Sequence, residues 1–145
     1  MGFTFTEMMI TVVLVAVLSS AALPSYLKAV RRGRGQATRD VLLTIFAGEK
    51  TFQAINQRYL PVPVAAPLAT WQAIFLENPN LNNTAVTFNV TVGPDQPGTA
   101  NDTFQVDATY QGIAGPFMRI DQTGVMTCVQ TTGIFANTPA TGCMQ

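Results

Sequence analysis

Residues 2–27 spell GFTFTEMMITVVLVAVLSSAALPSYL, an apolar run that contains a single charged residue, Glu7. About 20 helical residues cross a hydrocarbon core of about 30 Å, so the run has the length of a membrane-spanning helix. A cleavable secretory signal usually has a shorter apolar region, but Ala21-Ala22-Leu23-Pro24 could act as its cleavage site, so a removed signal is the alternative. We call residues 3–27 the stem.

Composition separates the stem from the rest of the chain, residues 28–145, which we call the head. The 145-residue chain is 48% hydrophobic and only 11% charged, against roughly 25% charged in ordinary soluble domains. Its length suits one domain. Five basic residues and no acidic one lie between residues 28 and 39, whereas seven acids face three bases from residue 40 onward. The five basic residues form what we call the collar: Lys28, Arg31, Arg32, Arg34 and Arg39.

The residue types exclude several kinds of chemistry. The chain has no His, which removes His-dependent catalysis and His-containing metal sites. Its two cysteines, Cys128 and Cys143, form no C-x-x-C motif and cannot complete a zinc site by themselves. A disulfide in an oxidising compartment is favoured over two free thiols. We therefore predict a protein that is not an enzyme and needs no cofactor or metal.

Apolar periodicity resumes after Pro24, which we expect to bend the helix rather than end it. An amphipathic helix is predicted over residues 36–59, and Leu60-Pro61-Val62-Pro63 should stop it. A head of this size cannot bury so long a helix, so much of it should pack on membrane or other subunits. The apolar positions of the amphipathic part are spaced 4, 3, 4, 3 and 4 apart: Val41, Ile45, Gly48, Phe52, Ile55 and Tyr59.

The rest of the head alternates between apolar and polar residues. Residues 60–83 predict a loop with a short helix around residues 70–76, and residues 84–127 predict an antiparallel sheet. Its strands are expected at residues 86–92 and 104–110, with a third from Phe117 that continues past a turn at residues 121–124. The sequence thus predicts an α+β fold, in which a long N-terminal helix packs on an antiparallel sheet.

Glu7 is the most informative residue of the stem. A carboxylate in lipid costs several kcal/mol unless it is paired or protonated, so it indicates a functional role. The alternative is that Glu7 lies at the membrane edge, where it only marks the start of the helix.

The segment from Gly2 to Met9, the aliphatic run after it, and Pro24-Ser25-Tyr26 resemble the N-terminal signal of type IV pilins, including minor pilins. The resemblance implies that a prepilin peptidase cuts between Gly2 and Phe3, so that residues 1–2 are a leader remnant, and that Phe3 becomes N-methylated. It also implies that Glu7 is required for filament assembly and that Pro24 is the family's stem proline. In many pilins a disulfide closes the C-terminal loop, which here would run from Cys128 to Cys143.

The resemblance implies a structural subunit of a pilus-like filament. Such a subunit is held in the inner membrane, is handled by the prepilin peptidase and an assembly platform, and then polymerises with copies of itself outside the cell. Two alternatives share the stem: a type II secretion pseudopilin and a DNA-uptake pilin. The Cys loop favours a pilus subunit over a pseudopilin.

Two features depart from the resemblance or leave it open. Only Met1 precedes Gly2, whereas family leaders carry several residues, so we expect a longer leader. The collar follows the span, where the positive-inside rule alone would place it in the cytoplasm; the resemblance places it outside. The collar could contact lipid headgroups, acidic heads of neighbouring subunits, or DNA, although no aromatic platform for bases accompanies it.

Three N-x-T triplets could be glycosylated or could be chance occurrences: Asn82, Asn89 and Asn101.

Overall fold

The computed structural model of the chain describes residues 4–82, 85–93, 103–111 and 115–129, without the side chains of Ala21, Arg31 and Asn82. The chain divides into two compact units, residues 1–34 and residues 35–145. We refer to them as the N-terminal unit and the C-terminal unit. The fold is α+β, with one long helix and a four-stranded antiparallel sheet, which confirms the predicted fold class at that level.

The long helix α1 (Phe5–Asn56) continues through Pro24, as predicted. A proline inside a helix removes one backbone hydrogen bond, but the helix does not end there. Two hydroxyl side chains in the stem form hydrogen bonds with the preceding turn of the helix. The Thr11 hydroxyl donates to the Met8 carbonyl at 2.9 Å, and the Ser20 hydroxyl donates to the Val17 carbonyl at 2.7 Å. These hydroxyls therefore present no unmet hydrogen bond to an apolar environment.

The helix ends at Asn56, before the predicted end at Tyr59. Gln57 has a φ of 56°, in the left-handed region that terminates many helices. Its N–H still donates to the Gln53 carbonyl at 2.8 Å. The helix therefore stops at a backbone reversal, upstream of the prolines that we expected to stop it.

The sheet has the strand order β1-β2-β3-β4 and is antiparallel throughout. The strands are β1 (Val86–Gly93), β2 (Thr103–Tyr110), β3 (Met118–Asp121) and β4 (Met126–Cys128). The predicted third strand is thus two strands, because Gly124 turns the chain with a φ of 82°. Asp121 holds this turn, since its Oδ1 accepts the N–H of Thr123 at 2.8 Å and that of Val125 at 3.2 Å. Two short helices precede the sheet, α2 (Leu68–Ala73) and α3 (Pro79–Asn82).

One hydrophobic core fills the C-terminal unit, where α1 packs against the sheet and α2. Its largest fully buried apolar side chains come from all of these elements: Leu42, Ile45, Trp71, Phe88, Phe104, Ile74, Met118 and Ile120. The predicted α1 face is partly wrong, because Ile55 is 65% exposed while Leu42 and Glu49 are buried.

Close contact between α1 and the residues after α2 depends on Gly48. A Cβ atom at this position would lie 2.5 Å from the Ile74 carbonyl oxygen, too close for any side chain. The chain turns after α2 at Phe75, whose φ is 62°. The Phe75 N–H donates to the Gln72 carbonyl at 2.9 Å and the Leu76 N–H to the Trp71 carbonyl at 3.0 Å, which satisfies the last carbonyls of α2.

Candidate functional site

The stem is an apolar helix that packs on no other apolar side chain among the described residues of its unit. Every described side chain from Thr4 to Ala29 is exposed. By length and composition, α1 is the helix of the described residues that could cross a membrane. Its exposed large apolar side chains surround the helix rather than forming one stripe, as expected of a surface that meets lipid or many neighbours: Phe5, Met8, Met9, Ile10, Val12, Val13, Leu14, Val15, Val17, Leu18, Leu23, Tyr26 and Leu27.

Thr4 and Glu7 cap the beginning of this helix. The Glu7 carboxylate Oε2 accepts the backbone N–H of Thr4 at 2.8 Å and the Thr4 hydroxyl at 2.8 Å. In return, the Glu7 N–H donates to the Thr4 hydroxyl oxygen at 3.3 Å. This reciprocal pair is a capping box, in which the residue at the third helical position returns to the N-cap. The capping box was not predicted, although the spacing T-x-x-E is visible in the sequence.

The capping box gives Glu7 a local structural role, which was one of the two predicted alternatives. It does not exclude the other role, because both hydrogen bonds use Oε2 and the side chain is exposed. Phe3 lies outside the described residues, and so do Met1 and Gly2. The predicted requirement for Glu7 in filament assembly therefore stays a prediction, as do cleavage after Gly2 and methylation of Phe3.

The residues of the collar belong partly to the N-terminal unit and partly to the C-terminal unit. Lys28, Arg32 and Arg34 are exposed in the N-terminal unit, and Arg39 is exposed in the C-terminal unit; the side chain of Arg31 lies outside the described residues. Among the described residues, Lys28, Arg32 and Arg39 form no ion pair. Lys28, Arg32 and Arg39 are thus accessible cations.

The two cysteines are only partly described. Cys128 ends β4 and is half-buried, whereas Cys143 lies outside the described residues. The Cys128–Cys143 disulfide therefore stays a prediction. Of the N-x-T asparagines, Asn89 is half-buried on β1, Asn82 ends α3, and Asn101 lies outside the described residues.

No group of three potential metal ligands occurs among the described residues. A shallow cleft of about 290 Å³ lies at the end of the sheet, beside Thr91, Gln105 and Asp121. Its Thr91 hydroxyl donates to the Gln105 carbonyl at 3.4 Å, and the Gln105 amide donates to Asp107 at 3.0 and 3.2 Å. The Thr91 and Gln105 side chains thus form hydrogen bonds within the sheet.

Sequence reasoning missed a buried carboxylate, Glu49. The predicted helix face was built from apolar residues alone, and such a pattern does not include a charged residue. Glu49 lies on the α1 face that enters the core and is fully buried. A second buried polar group, Trp71 Nε1, has no hydrogen-bond partner among the described residues.

Comparison of the chain with protein-family models, curated proteins and solved structures gave no match.

Proposed function

We propose that the chain is a type IV pilin-like subunit, held in the inner membrane by its stem and assembled through the same stem into an extracellular filament. The observation that carries the proposal is the stem itself: a continuous helix whose described side chains are exposed on all sides, whose one charged residue is Glu7, and whose start that residue caps. A surface of this kind must be covered by lipid or by protein. Lipid would cover it before assembly and other stems afterwards.

The C-terminal unit supports a structural role rather than an enzymatic one. Its core joins the second half of α1 to an antiparallel sheet, which is the arrangement expected from the resemblance to pilins. The finer parts of the proposal are cleavage between Gly2 and Phe3, methylation of Phe3 and a disulfide between Cys128 and Cys143. The intact mass of subunits from native filaments tests all three, and a mature chain that begins at Ser25 would contradict the filament role.

Assembly places Glu7 in a dry core of apolar side chains, where it needs a countercharge. The cation that the processed stem would supply is the α-amine of Phe3, from the same chain or from the neighbouring subunit. A neighbour's amine would set the axial register between subunits. The contact is head-to-tail, so it would propagate as an open helix instead of closing.

The capping box makes it possible to separate the two roles of Glu7. Glutamine can replace glutamate in a capping box but cannot form an ion pair. With the variant as the sole copy, we expect Glu7→Gln to reach the membrane at the normal level and to reduce sheared filament yield at least tenfold. Thr4→Ala, which removes the capping hydroxyl and leaves the carboxylate, should cost about 1 kcal/mol of helix stability and leave most of the filament yield.

The matched control is Glu77→Gln, which removes an exposed carboxylate of the head and should assemble normally. Normal filament yield from Glu7→Gln would reduce Glu7 to a helix cap and contradict the pairing. Absence of filaments from every variant, including Glu77→Gln and the unmodified chain, would count against a pilus and favour one of the other stem-based machines.

A further inference from the structure

Glu49 is a carboxylate in the apolar core of the C-terminal unit. Its side chain is 0% exposed. Its Oε2 accepts the backbone N–H of Leu60 at 3.0 Å, whereas its Oε1 is buried and has no hydrogen-bond partner among the described residues. Burial of a carboxylate beside a single neutral donor strongly disfavours its charged form.

Among the residues that the structure describes, no cation pairs with this carboxylate. The ammonium group of the adjacent Lys50 donates instead to the Tyr59 hydroxyl at 3.0 Å. It also lies 5.4 Å from the centre of the Tyr59 ring and 5.9 Å from that of Phe104, which is within cation–π range.

The elements around the core supply no other partner. Helices α2 and α3 and strands β1 and β4 contain no charged residue, and neither does the segment 59–67. Arg119 of β3 is bound to Asp107 of β2 at 2.6 Å, and Asp121 accepts hydrogen bonds within its own turn. The remaining charged groups of the described C-terminal unit are exposed: Arg39, Asp40, Arg58 and Glu77.

The Leu60 N–H belongs to a segment, residues 59–62, that covers part of the sheet edge. The Tyr59 ring centre lies 4.5 Å from that of Phe104. Val62 exchanges two backbone hydrogen bonds with Val90 of β1, at 3.1 and 2.8 Å. The bond to Glu49 lies between these two contacts and fastens the middle of the segment to α1.

We propose that Glu49 is a pH-sensitive latch, which holds the segment 59–62 against α1 and β1 when its carboxyl is protonated and loosens that segment when it is ionised. Burial without a countercharge favours a neutral carboxyl at this place, so ionisation would favour a conformation in which the segment lifts and water reaches the carboxylate. Lifting would also free the N–H and C=O of Val90, an edge-strand position that another chain could pair with. The latch would thus couple pH to the exposure of a strand edge.

The direction of the effect follows from linkage. Burial raises the pKa of Glu49 to about 7, although the Leu60 N–H acts in the opposite direction. The Glu49 carboxylate therefore binds a proton more tightly when the segment is closed than when it is open. Opening should become about tenfold easier for each pH unit between the open-state value of 4.5 and about 7, and level off above that. The segment 59–62 is therefore held firmly against α1 and β1 in mild acid and less firmly at neutral pH.

Amide hydrogen exchange on the full-length chain in detergent micelles tests the latch, after correction for intrinsic exchange rates. The Leu60, Val62 and Val90 amides should share one protection level, below that of Val106 in the middle of the sheet. Between pH 5 and 7 this level should fall about 40-fold in the unmodified chain. It should vary less than about threefold in Glu49→Gln, and Glu77→Gln should behave as the unmodified chain does.

Three results would overturn the latch: constant protection of Leu60 in the unmodified chain, the same fall in Glu49→Gln, or protection of Leu60 equal to that of Val106 at every pH. Carbon-13 NMR of the glutamate carboxyl gives a second test that does not depend on folding of the Glu49 variant. The chain has three glutamates, so Glu7→Gln/Glu77→Gln leaves Glu49 alone. Its signal should titrate well above the usual range of a glutamate, and a titration near pH 4.5 would overturn the proposal.

Discussion

Gly48 allows α1 to approach the carbonyl oxygen of Ile74 more closely than any residue with a Cβ atom would. We predict that Gly48→Ala destabilises the C-terminal unit by about 1–3 kcal/mol, because the added methyl group must push two elements apart. The loss should appear even though alanine forms helices better than glycine by about 1 kcal/mol. Urea unfolding of the full-length chain in micelles, followed by Trp71 fluorescence, measures it.

Gly33 provides the matched control within the same helix. A Cβ atom there would meet nothing within 4 Å. Gly33→Ala should therefore leave the unfolding midpoint of the C-terminal unit unchanged or raise it slightly, through helix propensity alone. Equal destabilisation by both substitutions would show that the contact at Gly48 has no special importance.

Glu49 should make the stability of the C-terminal unit depend on pH in an unusual direction. Because burial raises its pKa to about 7, the folded state binds more protons than the unfolded state between pH 4.5 and 7, and stability falls as pH rises through that interval. The upper limit of the loss is about 3 kcal/mol. We expect urea unfolding to show this slope in the unmodified chain and a flat profile in Glu49→Gln. Stability that rises over the same interval would contradict the buried, uncompensated carboxylate.

Among the secondary-structure elements, the strands were the easiest to predict. β1 and β2 alternate strictly between buried and half-buried residues over most of their length, and a half-buried sheet leaves that pattern in any sequence. The division of the third predicted strand into β3 and β4 was not predicted, since it depends on the left-handed backbone of Gly124 and the bonds of Asp121. Turn residues indicated a bend there, but not how much chain lay beyond it.

The amphipathic half of α1 was predicted as a helix, but its buried face was predicted only in part. The prediction used only apolar residues and therefore included Ile55, which is exposed, while the buried face includes Thr38 and Glu49. The end of the helix was misplaced for a related reason, because Gln57 gives no composition signal for a left-handed residue. Buried polar groups and single backbone reversals depend on tertiary contacts, which sequence periodicity does not contain.

Strand β1 lies at the edge of the sheet, and the side chain of Asn80 protects it. The Asn80 amide oxygen accepts the Phe88 N–H at 2.7 Å, and its nitrogen donates to the carbonyls of Phe88 and Val64, each at 3.1 Å. One amide side chain thus takes the place of a neighbouring strand. Next to it, Val62 bonds Val90 in the same way.

Replacing Asn80 should both destabilise the unit and expose the edge. We expect Asn80→Ala to cost about 2–4 kcal/mol, since it leaves the N–H and C=O of Phe88 without partners, and to increase aggregation of the purified chain. Asn56→Ala is the control, because that amide donates only to the Phe52 carbonyl of its own helix at 3.1 Å. Thermal melts and light scattering distinguish them, and equal behaviour would contradict edge protection by Asn80.

At the scale of the whole molecule, the predicted disulfide would constrain the C-terminal segment of the chain. A loop of about 15 residues closed by Cys128 and Cys143 should stabilise the head by about 3 kcal/mol in the chain-entropy model. Peptide mapping of the full-length chain without reduction should find the two residues linked, and reduction should lower the melting temperature. Alkylation of both cysteines in filaments before any reductant is added would contradict it.

In the proposed filament, assembly is the property of the whole molecule that should depend most on one side chain. If Glu7 pairs with the amine of a neighbouring subunit, each Glu7→Gln subunit in a mixed filament leaves one buried amine unpaired, at a cost of about 3–5 kcal/mol. In cells that produce tagged Glu7→Gln beside the unmodified chain, the variant should therefore be depleted at least tenfold in sheared filaments relative to its share of the membrane pool. Tagged Glu77→Gln should enter filaments in proportion to that pool, which controls for the tag. Proportional entry of Glu7→Gln would show that the amine needs no carboxylate from this position, and the register between subunits would then have to come from the apolar surface of the stem alone.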